Sequence, residues 1–322
     1  MPPFIELERL TRVATLGLRF HDTMTGVFIG SGLNVWAYPV NRPAARRQAI
    51  SNRSGIYVLH HAAGLIELER GNGSERYWQE NSPSNQFIIE VSDEERRFQP
   101  FQFSADLPAR NIYKWNGPNS GSPPALRSSI PLYSTPVRNV PAGMAVIRAH
   151  LWNRESDTGA GWAILEVYDR DRLIGRGLGD EQGQVAVIFP YPQPLAFAPS
   201  SPLGSPVVSP LTSPPESQAI ATGPPLTNQV WPLQIRVLYS PALADSSPPH
   251  STVPSNTFPD LRRSLSQPEA LIWSDPSLSE ALTDVSLQYG RELILKSNSA
   301  TSSPLTSPRN SVLFISPAVS PP

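Results

Sequence analysis

The stretch GRGLGDEQGQVAVIFPYP, residues 175–192, places four glycines ahead of an apolar run. A glycine-rich loop holds a phosphate when a helix follows it, because the free amides at the helix N-terminus bind the anion. Here QVAVIFPYP follows, and its alternation, β-branched residues and prolines predict a strand. The glycine spacing matches neither common phosphate-binding motif. We therefore predict that DEQG, residues 180–183, is a hairpin turn with Gly183 at positive φ, and that no cofactor binds there.

The same alternation with a period of two recurs along the chain, between turns rich in Gly, Pro, Asn and Asp. Such short strands predict an all-β fold. The strands are expected at residues 16–22, 33–40, 55–61, 86–93, 144–153, 161–169, 172–179, 184–191 and 231–240.

A helix is plausible in only two segments, residues 260–270 and 276–290. In the second, Ser277 or Ser279 is a candidate N-cap. Its apolar face would consist of Leu278, Leu282 and Val285.

Two parts of the chain follow one plan. NRSGIYVL at 52–59 matches DEQGQVAV at 180–187 in the character of each position. Upstream, HDTMTGVFIGSGLNVWAY at 21–38 is similar to NRESDTGAGWAILEVYD at 153–169. These matches pair Gly55 with Gly183 and Gly26 with Gly159, and they indicate two copies of one strand-and-turn unit.

This pattern of strands, a Thr-Gly turn and a second glycine turn resembles the transthyretin-like, or carboxypeptidase regulatory-like, β-sandwich. The resemblance implies one such unit over residues 16–107 and another over 144–240. Domains of this family are usually non-catalytic scaffolds or adhesion modules. Relatives that form isopeptide crosslinks need a lysine, and Lys114 and Lys296 are the only lysines, so we expect no crosslink.

A longer series of segments runs in the order FIELERLTRVATLGLRF, GIYVL, FIIEVSD, FQPFQFSADLP, IPLYSTPVRNVPAGMAVIRAHLWN, GWAILEV, GRGLGDEQGQVAVIFPYP, WPLQIRVLYSP, GRELIL and SVLFI. This order resembles uncharacterised proteins encoded among the genes of phage-tail-like contractile injection systems. The resemblance implies a structural or accessory part of such a particle, at its cap or baseplate.

Proline and serine divide the patterned blocks. The chain has 37 prolines, and SPLTSP occurs at 209–214 and again at 303–308. Such segments bury too little apolar surface to offset their ordering entropy, so we expect loops or spacers. The predicted organisation is a β-sandwich unit at 1–115, a linker at 116–135, a second unit at 136–240 with a Pro/Ser-rich insertion at 193–228, a linker at 241–259, and a mixed C-terminal segment at 260–322.

Composition restricts the partners. A net charge of −1 provides no broad field for nucleic acid, and the absence of cysteine excludes disulfides and thiolate metal sites. MPPFIELERL lacks the order of a signal peptide, and no window is apolar enough for a membrane helix. We expect a cytoplasmic protein that neither inserts into a membrane nor binds nucleic acid.

Candidate chemical residues are few. His60 and His61 are neighbours on a predicted strand, so their side chains should point to opposite faces and not share a metal. A metal site would draw on His21 and His150, which lead into polar turns, together with Asp22 or Asp157, although half-exposed strand residues are the interpretation we favour. His250 belongs to no pattern.

Acidic clusters at 93–95 and at Asp169 and Asp171 are interpreted as solvated strand ends beside arginines. A carboxylate pair for glycoside hydrolysis needs a fixed separation that sequence does not reveal. The seven tryptophans are compatible with sugar platforms, but we favour core positions.

We predict no catalytic, cofactor-binding or metal-binding residues, and no enzymatic activity. The preferred function is that of a structural subunit acting through protein–protein contacts in a large oligomeric assembly, the contractile injection particle. The alternative is an adhesion module that binds carbohydrate or another protein.

Overall fold

The structure is a computed structural model that describes residues 13–69, 84–109, 111–117, 126, 128–193, 226–244, 258–275, 277–297 and 312–317. The fold is all-β, as predicted, with two curled sheets and no long helix among these residues. Most of the Pro/Ser-rich insertion, both SPLTSP segments, Trp78 and His250 lie outside the described residues.

Nine strands form the first half of the molecule: β1 (Leu16–Leu18), β2 (Phe20–Asp22), β3 (Phe28–Ile29), β4 (Leu33–Pro39), β5 (Arg47–Ser51), β6 (Tyr57–Leu59), β7 (Asn85–Asp93), β8 (Phe101–Leu107) and β9 (Ile130–Leu132). The second half contains β10 (Met144–Asn153), β11 (Thr158–Gly159), β12 (Ile164–Asp169), β13 (Arg172–Leu178), β14 (Gln184–Pro190), β15 (Val230–Leu238), β16 (Glu269–Ile272), β17 (Asp284–Gln288), β18 (Leu293–Leu295) and β19 (Leu313–Ser316). The short helices are α1 (Ile66–Glu69), α2 (Pro241–Ala244) and α3 (Leu261–Leu265), with 3-10 turns at Pro43–Ala45 and Leu226–Asn228.

Each half is a curled sheet. In the first half the order is β1-β6-β5-β4-β7-β8, and a small sheet β3-β2-β9 continues from it. In the second half the path is β11-β10-β19-β16-β15-β12-β13, with β14 and β18 on β10 and β17 on β15. Between these described strands every pairing is antiparallel except β2 with β9 and β10 with β18 and β19. Among the described residues, no helix has the length and apolar character needed to cross a bilayer.

The glycine turns of the two halves have the same hydrogen bonds. Asn52 Oδ1 accepts from the amides of Ser54 and Ile56 at 2.9 and 3.1 Å. Asp180 Oδ1 accepts from the equivalent amides of Gln182 and Gln184 at 2.9 and 2.8 Å. Gly55 and Gly183 follow at φ +70° and +83°, a left-handed conformation that favours glycine. The predicted match of these turns is therefore confirmed at the level of single hydrogen bonds.

The upstream hairpins also correspond, but with a shift. Asp22 Oδ1 and Asn153 Oδ1 each accept from the amide two residues ahead, at 3.0 Å in both cases. The residue at positive φ is Gly26 in the first hairpin and Asp157 in the second. The predicted pairing of Gly26 with Gly159 is therefore wrong by two residues, because Asp157 adopts the left-handed conformation without glycine.

A parallel strand on the same edge is a further shared feature. Asp22 pairs with Leu132 on β9, and Asn153 pairs with Ile315 on β19. Gly17 likewise bridges in parallel to Ile112, as Arg148 does to Ile294. Both halves therefore have parallel partners at equivalent residues.

Gly175 and Gly177 allow β13 and β14 to approach face to face. A Cβ on Gly177 would lie 2.6 Å from the Ala186 carbonyl oxygen, and one on Gly175 would lie 2.7 Å from a Val187 methyl. β13 pairs with β12, whereas β14 pairs with β10. Residues 180–183 therefore form a corner between differently paired strands, and the predicted hairpin is wrong although the turn and the strand from Gln184 are confirmed.

In the first half the equivalent turn does join paired strands. Ile50 and Ser51 of β5 face Val58 and Tyr57 of β6. The difference follows from side chains, because β5 carries no glycine where β13 has Gly175 and Gly177.

Several segments outside the predicted units belong to the sheets. Residues 130–132, in the predicted linker, form β9, and Ile130 and Leu132 are fully buried. Strands β16 to β19, in the predicted C-terminal segment, complete the second sheet. The domain boundaries drawn from composition stay predictions.

The second predicted helix, at 276–290, is wrong over its described residues. Ser277 and Ser279 donate to Asp275, and Leu278 has φ +60°, outside the helical region. β17 forms instead, because β15 offers an antiparallel partner and Leu287 becomes buried. In the first predicted segment, residues 260–270, a single turn forms as α3, capped by Asp260 Oδ1 accepting from the Arg263 amide at 3.0 Å.

We expect the Gly183→Ala substitution to destabilise the fold far more than Gly290→Ala. Both glycines have positive φ, but an alanine Cβ at 183 would lie 2.4 Å from the Leu151 carbonyl oxygen, whereas nothing lies within 4 Å at 290. The free energy of unfolding should fall by about 1 kcal/mol for Gly290→Ala and by roughly 3 kcal/mol or more for Gly183→Ala. Urea denaturation measures both, and equal losses would contradict the close approach.

Candidate functional site

The outer face of β12, β13 and β14 is covered by the first half of the chain. Ile164 and Leu178 are fully buried and belong to the hydrophobic cluster of the first half. Ile188 packs with Met24, which lies on the 22–27 turn of the first half. We call this surface the covered face: Ile164, Glu166, Leu178, Ala186 and Ile188.

A buried ion pair lies within the covered face. Glu166, 4% exposed, accepts from Arg176 Nε at 2.8 Å and from the Tyr168 hydroxyl at 2.6 Å. Burial and the Glu166 carboxylate raise the pKa of Tyr168 to about 12. Tyr133 of the first half meets Arg176, and burial raises the pKa of its phenol. Glu166 and Arg176 satisfy each other within the second sheet, so neither charge is left alone where the first half covers this face.

The α3 segment holds the two halves together. Leu261 and Leu265 are buried in the first-half cluster, and the Gln102 amide donates to the Pro259 carbonyl at 2.9 Å. On the other side, Gln267 Nε2 donates to the Trp162 carbonyl at 2.9 Å. One short segment therefore contacts both sheets.

The first half has an equivalent outer face, and it is open. Gln48 faces Trp36 as Arg176 faces Glu166, and the matching glycine turns align Ile50 with Leu178. Ile50 is 68% exposed, whereas Leu178 is 0% exposed. We call this surface the open face: Trp36, Gln48, Ile50, Val58 and His60.

A groove with a volume of about 350 Å³ runs along the open face. Its apolar side chains are Ile50, Val58 and Ile66, and its basic ones are Arg47, His60 and His61. Ile66 is 38% exposed, so the groove combines apolar surface with a basic rim. An exposed apolar surface with a polar rim makes this groove a candidate for contact with a protein.

A charged cluster stiffens the face beside this groove. Glu90, 5% exposed, accepts from the Tyr38 hydroxyl at 2.9 Å and from Arg46. The Arg46 guanidinium lies 4.5 Å from the centre of the Trp36 ring. Burial and the Glu90 carboxylate raise the pKa of Tyr38. The open face therefore has fixed side chains before any partner binds.

The predicted separation of His60 and His61 is wrong. β6 ends at Leu59, and His61 adopts φ +56°, so the strand alternation does not continue through the pair. Both imidazoles line the groove, with ring centres 6.4 Å apart.

The residues of the hypothetical metal site are engaged separately. His21 is 2% exposed, and its Nδ1 lies 2.8 Å from Ser129 Oγ. Both carboxylate oxygens of Asp22 accept hydrogen bonds from the Arg138 guanidinium, at 3.0 and 2.7 Å. His150 Nε2 lies 3.1 Å from the Gln182 carbonyl oxygen. Asp157 accepts from Trp152 Nε1 at 3.1 Å. Within the described ranges, no three His, Cys, Asp or Glu side chains gather as metal ligands.

The acidic clusters terminate strands. Asp93 accepts from the Arg97 amide at 2.6 Å and from its Nε at 3.0 Å, and its side chain is 0% exposed. The prediction of a solvated carboxylate is therefore wrong for Asp93. Glu95 is 69% exposed, and Asp169 lies 3.7 Å from Arg172.

Among the described tryptophans, Trp115 and Trp231 are 3% exposed, which confirms the core interpretation for these two. The other described tryptophans are half-buried: Trp36, Trp152, Trp162 and Trp273.

A second groove, of about 590 Å³, lies at the far end of β13 and β14. Tyr168 and Tyr191 line it with Asp171 and Arg172. Tyr191 packs on Tyr289 with ring centres 4.7 Å apart, so one aromatic wall is fixed. Local sequence patterns do not reveal this groove, because its residues come from different strands.

No family model matches this chain, and no curated protein and no solved structure matches it. The two resemblances drawn from its sequence therefore stay predictions.

We expect the stability to fall as the pH decreases from 7.5 to 5. Burial lowers the pKa of His21 from 6.5 to about 4, although Asp22 raises it in part. Between pH 6.5 and pH 4 the His21 imidazole is therefore protonated in the unfolded chain but neutral in the folded chain. The free energy of unfolding is highest above pH 6.5 and falls as the pH decreases towards 4. The loss by pH 5 should be about 2 kcal/mol.

Urea titrations at both pH values measure this effect, and a His21→Gln variant is the control. The glutamine does not titrate, so its pH dependence over this range should be smaller by the same amount. An unchanged pH dependence in the variant would show that His21 is not the responsible group.

Proposed function

We propose that this protein is a non-catalytic structural subunit of a phage-tail-like contractile injection particle, made in the cytoplasm and incorporated near the cap or baseplate. It acts through protein–protein contacts. The observation that carries this proposal is the open face, a preformed sheet surface with exposed Ile50 at its centre.

Quasi-equivalence supports an interface on the open face. The same sheet face in the second half buries Ile164 and Leu178 against another folded surface. The open face has the same register and turns, but its central aliphatic side chain remains in water. Burying such a side chain contributes roughly 1.5–3 kcal/mol, which favours a partner.

The charged side chains of the halves have structural uses that suit a scaffold. Arg138 holds the 22–27 turn through its ion pair with Asp22. Arg148 forms an ion pair with Glu292, and its guanidinium donates a hydrogen bond to the Arg138 carbonyl at 3.1 Å. Arginine keeps its charge and its forked geometry when buried, as such contacts require. The choice of a contractile injection particle rests on the resemblance of the sequence to proteins encoded among the genes of such systems.

We expect the wild-type protein to co-sediment with a large particle from lysates of the producing cells. An Ile50→Asp variant should move to slow fractions, because a carboxylate would be placed in the contact. Val137→Asp is the matched control, since Val137 is 79% exposed and lies outside the open face. Wild-type protein found only in slow fractions, or equal behaviour of both variants, would overturn the proposal.

A second candidate function is carbohydrate binding at the groove of about 590 Å³ that Tyr168 and Tyr191 line. The Tyr191 ring packs beside Trp231, with ring centres 5.4 Å apart and planes tilted by 36°. Aromatic rings of this kind pack on sugar faces, and Asp171 and Arg172 in the same groove offer hydrogen bonds to hydroxyls. Trp231 lies next to Tyr191 and provides a fluorescence signal.

If the groove binds sugar, titration with oligosaccharides should change tryptophan fluorescence in a saturable way. Tyr191→Ala should abolish that change, whereas Tyr38→Phe, on the open face side of the molecule, should not alter it. An absence of saturable change in the wild type across glucan, chitin and mannan oligosaccharides would remove this candidate.

A further inference from the structure

We propose that copies of this chain associate head to tail, with the 153–158 turn of one copy seated on the open face of the next. The inference rests on the proposed function, because it names the partner of the open face as a second copy. The two surfaces lie on different halves of the chain, so one molecule presents both.

The contact to be repeated already exists inside the chain. The 22–27 turn of the first half lies on the covered face of the second half, where Met24 packs with Ile188 and Val146. The turn is held in shape by Asp22, which accepts from the Met24 amide at 3.0 Å. The internal arrangement is therefore the turn of one half on the sheet face of the other.

Structural equivalence identifies the matching residues. The position of Met24, two residues beyond the side chain that binds its amide, is occupied by Glu155 in the second half. Counting from the matched glycine turns, His60 takes the place of Ile188. The same packing between two copies would therefore put Glu155 where Met24 lies, beside His60.

The substituted pair has complementary charge. Met24 and Ile188 are both apolar, whereas Glu155 is an exposed carboxylate and the groove beside His60 also carries Arg47 and His61. Asp157 adds a second acid to the turn, while the Arg154 guanidinium lies over the Phe314 ring at 5.8 Å. An acidic turn thus meets a basic groove at the place where the internal contact is apolar.

The His60 ring lines the groove at the place where this contact would form. Among the described residues, His60 Nδ1 is buried and has no hydrogen-bond partner. Ile50 and Ile66, 68% and 38% exposed, would leave water in the same step.

In a contact between two different surfaces, each copy uses only one of its two surfaces and keeps the other free for a further copy. Each added copy leaves one free turn at one end and one free open face at the other, so association gives rings or open chains rather than a closed dimer. Repetition of one subunit in this way is suited to a part of a large particle.

Sedimentation velocity of the purified full-length protein across a range of concentrations tests the proposal. We expect the wild type to form species larger than a dimer as its concentration rises. Glu155→Lys and Arg47→Glu should each remain monomeric, since each variant opposes like charges across the contact. Both positions are exposed, so these changes leave the core intact. Thermal unfolding confirms that each variant is folded.

An equimolar mixture of the two variants is the decisive sample. The new lysine of the Glu155→Lys copy would then meet the new glutamate of the Arg47→Glu copy, and the wild-type pair would form at the following contact, so large species should return. The matched control is Asp171→Lys, which makes the same charge change at an exposed residue outside both the 153–158 turn and the open face, and which should associate like the wild type.

A wild type that is monomeric at every concentration would overturn the proposal. So would association that both charge reversals leave unchanged, or a mixture that stays monomeric. The proposed function fails separately: a monomeric wild type that co-sediments with a particle contradicts only self-association, and a self-associating chain found in no particle contradicts only the proposed function.

Discussion

Each half of this molecule contains a turn in which one side-chain oxygen accepts hydrogen bonds from two backbone amides. A glycine at positive φ follows that side chain. Asn52 provides this oxygen in the first half and Asp180 in the second, with hydrogen bonds that agree within a few tenths of an ångström. The turn places equivalent residues on either side of it at equivalent positions in the two halves, and the alternation along each strand decides which side chains point inward. The equivalence of the two outer faces follows from that alternation.

The two halves then diverge through their side chains. Gly175 and Gly177 let β13 lie against β14, so the second sheet turns a sharp corner where the first continues as a paired hairpin. Leu178 is buried against the first half, while Ile50, in the equivalent place, is left in water. One fold is thus used twice, once with its outer face covered and once with that face open.

Local patterns accounted for most strands and for both glycine turns, because alternation and positive φ are properties of adjacent residues. They failed where a distant partner decided the outcome. β17 formed in place of a helix because β15 offered a ladder. The hairpin predicted at 180–183 is a corner because Gly175 and Gly177 let β13 pack face to face on β14, whose ladder partner is β10. The open face was missed for the same reason, since its residues lie on three strands.

The sequence by itself determined the all-β class, the repeated turn with Gly55 and Gly183, and the strand that begins at Gln184, since short-range sterics and hydrogen bonds are sufficient for these. Only the tertiary structure decided that β9 and β16 to β19 join the sheets, that Glu166 and Arg176 are buried beside Tyr133, and that His60 and His61 share one groove. Those outcomes depend on contacts between residues far apart in the chain, and their free energy appears only when both surfaces are folded.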